Sequence, residues 1–120
     1  MKKPLLMILL SVLSIGAWAK PTCSQIGSLA DDNYLELDAL SVFEVAGENG
    51  SRLYFYSAPS AQCRSDKFVI PKDTILGYYL FIHENKKWLY AVYKDKNNNK
   101  TSGWLPEEKL SFLETTALDD

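Results

Sequence analysis

The chain has 120 residues, with 13 Lys and Arg against 15 Asp and Glu, one histidine and two cysteines, for a net charge of −2. That length holds one domain and one core, not two. The acidic balance argues against a nucleic-acid binder, which needs a basic patch to displace counterions, and against a polybasic membrane dock.

Residues 1–19 read as a secretory signal peptide. Lys2 and Lys3 form a positive start, Leu5 to Ile15 is an apolar run, and Ala17-Trp18-Ala19 is a small-x-small cleavage site. The run is too short for a membrane span, so no stable insertion is expected after cleavage; the alternative is an uncleaved anchor. Removing Lys2 and Lys3 takes the net charge from −2 to about −4. Both cysteines, Cys23 and Cys63, lie in the exported part. An even count in an oxidising compartment predicts one disulfide, closing a loop of about forty residues and stabilising by roughly 3–4 kcal/mol. A lipidated Cys23 lacks the small apolar lead-in. A metal site lacks ligands, since His83 is the one histidine.

Residues 20–40 are expected to be a short irregular arm pinned by Cys23. Leu35, Leu37 and Leu40 fit either a strand or a helical turn. From Ser41 the pattern becomes β-like. Ser41 to Ala46 alternates, and Gly47 to Ser51 is a turn cluster. In Arg52 to Ser57 a strand would place Leu53 and Phe55 on one face and Tyr54 and Tyr56 on the other. A loop through Cys63 and Asp66 follows, then a short strand at Phe68-Val69-Ile70. Thr74 to His83 is the longest run, with Gly77 as a candidate bulge. Trp88 to Lys94, the Asn-rich turn and Thr101 to Leu105 read as a hairpin. Pro106 stops it, Glu107 to Lys109 suggests a 3₁₀ turn, and Leu110 with Phe112 a last strand. Residues 114–120 read as an acidic, frayed tail. This spacing predicts an all-β fold, residues 41–113, of barrel or sandwich type.

Little in the chain points to catalysis. Any Ser-His-acid or Cys-His arrangement must use His83, which ends a strand beside Glu84, and Gly-x-Ser-x-Gly is absent. The paired acids Asp31-Asp32, Glu107-Glu108 and Asp119-Asp120 read as solvated surface. Phosphate and calcium loops are absent and no cofactor or metal is expected. The aromatics are the unusual asset. Phe55, Phe68 and Phe81 are expected to fill the core, whereas Tyr54, Tyr56, Trp88, Tyr90 and Trp104 suggest a partly exposed ridge, the usual anchor of a protein interface.

Arg52-Leu53-Tyr54-Phe55-Tyr56-Ser57-Ala58 resembles the opening tyrosine motif of SH3 domains. Trp88, Ala91, Gly103, Leu105, Pro106 and Leu110 resemble their second half, and Gly103-Trp104-Leu105 is closest to the bacterial SH3-like (SH3b) branch. The resemblance covers Val42 to Phe112. It implies a small five-stranded, partly open barrel without a catalytic centre, whose groove would use Tyr54, Tyr56, Trp88 and Pro106. Lys109 stands where the groove's last aromatic belongs, and a lysine cannot wall a proline ladder. The expectation is a non-enzymatic periplasmic or secreted binding protein. The sharpest form is an inhibitor or immunity protein that neutralises a toxin, or a cell-wall enzyme, in the periplasm. The alternative is a peptidoglycan-binding module.

Overall fold

A computed structural model describes residues 20–116, so the expected signal segment and the last four residues of the expected tail lie outside the described residues. The described residues fold as one α-helix and one antiparallel sheet. Helix α1 spans Cys23–Asn33. The strands are β1 Leu35–Val45, β2 Leu53–Tyr56, β3 Arg64–Val69, β4 Thr74–His83, β5 Lys86–Lys94, β6 Lys100–Pro106 and β7 Leu110–Thr116. Their order in the sheet is β3-β2-β6-β5-β4-β1-β7. The fold is all-β as expected, with seven strands rather than five, and the sheet is open, with β3 and β7 at its two edges.

Three expectations are corrected. The arm at residues 20–40 is not irregular: it holds α1 and the first six residues of β1. The loop through Cys63 and Asp66 is a 3₁₀ turn, Ala61–Cys63, running straight into β3. Residues 114–116 complete β7, paired with β1 through Val42↔Glu114, Ser41↔Thr115 and Leu40↔Thr116, rather than beginning a tail.

Local chemistry explains the joins. Thr22 caps α1 reciprocally: its Oγ1 accepts from the Gln25 amide at 3.1 Å, and its own amide donates to Gln25 Oε1 at 2.8 Å. Glu84 and Asn85 both take positive φ, 53° and 64°, between the paired residues His83 and Lys86. That is the two-residue hairpin turn whose twist suits flanking strands. In the β5–β6 turn, Asp95 Oδ1 accepts from the amides of Asn97 at 2.8 Å and Asn99 at 3.0 Å.

The two faces of the sheet bury different side chains. The inner face packs Phe43, Val45, Phe55, Val69, Ile75, Leu89, Ala91 and Leu105 into the main core. On the outer face Phe81, Trp88 and Trp104 pack with Ala30 of α1. The helix also buries Ile26 against Ala58 and Cys63. Cys23 and Cys63 form the expected disulfide, with their Cα atoms 5.7 Å apart. Gln62 Nε2 adds a hydrogen bond to Pro21 O at 3.0 Å. α1 is therefore fastened covalently over one half of the outer face. Among the described residues no helix is long and apolar enough to cross a membrane.

Candidate outer-face site

The outer face owes its composition to a change of register. In β4, Gly77 pairs with Ala91 but Tyr79, not Tyr78, pairs with Tyr90. Tyr78 is the extra residue of a β-bulge, beside the glycine that suggested one. After the bulge, Tyr79 and Phe81 face outward beside their partners Tyr90 and Trp88. On β6, Trp104 pairs with Tyr90 and Pro106 with Trp88.

These placements build a ladder of rings across three strands. Tyr34 lies 4.3 Å from Tyr79, Tyr79 5.8 Å from Tyr90, and Tyr90 5.3 Å from Trp104. Phe81 lies 6.3 Å from Trp104, and Tyr56 packs edge-on to Trp88 at 5.0 Å. Such tilted and edge-to-face pairs satisfy the ring quadrupoles.

Four of the expected site residues, Tyr56, Trp88, Tyr90 and Trp104, thus come together, with Pro106 paired to Trp88. Their exposure differs from expectation. Trp88 is 3% and Trp104 5% exposed, and Pro106 is buried too. The cause is α1, whose docking buries the tryptophan half of the expected ridge. Tyr56 and Tyr90 remain half-buried. Tyr54 does not join the group. It packs against Phe68 at 5.5 Å, under the Arg64 guanidinium at 4.3 Å. Phe68 is not core: it is 39% exposed, with Arg52 over its ring at 4.4 Å. His83 stacks on Phe81 at 6.0 Å and approaches Glu84 at 4.0 Å.

Beyond α1 the same face stays open. A groove of about 270 Å³ is lined by Thr74, Leu76, Tyr78, Val92, Lys94 and Lys100. Half-buried Tyr78, Leu76 and Val92 supply the apolar part, and exposed Lys94 and Lys100 close one end. Tyr34, Tyr78, Tyr79, Lys94 and Lys100 are absent from the expected site. The lysines were discoverable, because they flank the Asn-rich turn and so must face each other across the hairpin. Tyr34 carried no such signal.

No protein-family model matches the chain, and comparisons with curated proteins and with solved structures find no significant match.

Proposed function

We propose that this is a non-enzymatic periplasmic protein of SH3-like type that binds and inhibits another protein, in its sharpest form an immunity protein against a toxin acting in the periplasm. The observation that carries this reading is the state of the outer rings. Tyr79 is sandwiched between Tyr34 and Tyr90, Tyr90 abuts Trp104, and both tryptophans lie beneath α1. A wall-binding module needs a free ring face on which a sugar can lie. Here the rings meet one another and offer edges and phenol groups, which suits a protein surface better. The disulfide and the signal-like start of the chain support export to an oxidising space. The unbroken order β7-β1-β4-β5-β6, five strands with the β2–β3 hairpin added at one end, supports the SH3-like reading.

The test is affinity capture from a periplasmic extract of the source cells with immobilised residues 20–120, beside sedimentation with purified sacculi. The reading expects a protein partner that is lost with Tyr78→Ala or Tyr90→Ala, and no retention on sacculi. Retention on sacculi without a protein partner would favour the cell-wall module instead.

A further inference from the structure

We infer that the lysine end of the outer groove is a carboxylate-reading subsite that docks an extended acidic segment of the partner protein. The inference rests on the protein-binding reading above and adds the chemistry of what is bound.

Lys94 and Lys100 are direct partners across the β5–β6 hairpin. Directly paired residues point to the same face, so two ammonium groups stand side by side where opposite charges would stabilise the pairing. No carboxylate lies within ion-pair distance of either among the described residues, whose pairs are His83–Glu84 and Lys86–Glu108. Two acids that adjoin residues of the groove are engaged elsewhere. Asp95 holds the amides of its own turn, and Asp73 Oδ2 accepts from the Ile70 amide at 2.9 Å. Glu44 shares the outer face but sits two strands away, paired with Thr74. The 94–100 hairpin, with Lys94, Lys96 and Lys100 against Asp95, is thus a local positive patch on an acidic protein.

The groove next to this patch selects more than charge. Leu76 pairs with Val92, and both line it beside the Tyr78 ring. Val92 and Lys94 are two residues apart on one strand, so the apolar floor and the ammonium pair repeat at the spacing of alternate side chains. An extended segment reading acidic-x-apolar would set its carboxylate between Lys94 and Lys100 and its apolar side chain over Leu76 and Val92. Bound carboxylate would also relieve the lysine repulsion that the free protein bears.

The test uses ¹⁵N-labelled residues 20–120 and two blocked peptides, Ac-Thr-Glu-Thr-Leu-Thr-NH₂, which sets Glu and Leu two apart on one face, and its Gln twin. The Glu peptide should shift the amides of Tyr78, Val92, Lys94 and Lys100. Its binding should weaken as salt rises from roughly 20 to 300 mM, where screening shortens to a few ångströms. The Gln twin should bind roughly tenfold more weakly. Lys94→Glu/Lys100→Glu should abolish the effect and Lys94→Arg/Lys100→Arg should keep it, with unchanged melting showing that both variants fold. Equal shifts with the Gln twin, or shifts mapping elsewhere, overturn the inference. Capture of the partner at undiminished affinity by the double Glu variant also overturns it while leaving the inhibitor reading intact. A muramyl peptide that shifts these amides while capture yields no protein overturns the protein partner itself.

Discussion

A Cβ built on Gly77 would lie 2.8 and 2.9 Å from the two methyl carbons of Leu89 and 3.0 Å from Phe43 Cε1. Leu89 is 1% exposed and has little room to swing aside. Gly77→Ala should therefore overpack the core and cost roughly 1–3 kcal/mol, read as a lower urea midpoint at constant slope. An unchanged midpoint would mean that Leu89 yields. Tyr93 offers a second probe. Burial first, then the carboxylates of Asp73 and Asp95, push its phenol above the ordinary 10.0. The unfolded phenol ionises first, so this contribution is complete below about pH 10 and is lost as pH rises through the raised native value. Melting temperatures taken upward from about pH 9 should fall more steeply for the wild type than for Tyr93→Phe. At this scale the sequence was a fair guide to which rings share a face and a poor one to their exposure. Trp88 and Trp104 do pack in one cluster, but whether a ring sits in water depends on what docks over it, and Ala30 carries no signal of doing so.

Helix α1 is the element that sequence patterning could not supply. Its eleven residues include Gly27, two serines and the Asp31-Asp32-Asn33 run, all weak helix formers. Only Ile26 and Ala30, four apart, mark its buried side. A helix this short gains its stability from docking rather than propensity, and here from the bond to Cys63. The strands were more legible, since alternation and turn chemistry are local. β3 was shortened to its apolar end because Arg64, Asp66 and Lys67 give an edge strand the charge of a loop. Replacing both cysteines by serine should cost roughly 2–4 kcal/mol. It should also loosen α1, shifting tryptophan emission to the red and raising acrylamide quenching. Destabilisation without a change in emission would show that the helix holds its place through packing alone.

Across the molecule the sheet is unevenly tied. β4, β5 and β6 pair along most of their length, whereas β2 meets β6 through the single pair Tyr56↔Trp104. Gly103 permits that approach: an added Cβ would stand 3.1 Å from Tyr56 O. The β2–β3 hairpin is further held by Phe55 and Val69 in the core and, through Cys63 in its connecting turn, by the disulfide. Hydrogen exchange should therefore find the slowest amides in β4 and β5, with β2–β3 opening earlier, and earlier still after reduction. Uniform protection across the seven strands would contradict this. The supernumerary Tyr78 acts on the same large scale. Were it threaded regularly, facing Tyr90 in place of Tyr79, the far half of β4 would shift by one residue, turning Tyr79 and Phe81 into the aliphatic interior and Leu80 out toward α1. Trimming that one residue from the gene would therefore leave both linings where they are, Gly77 inward and Tyr79 outward in plain alternation, and remove only a ring from the groove, whereas a pairing slipped by one would leave the helix nothing aromatic to lie upon.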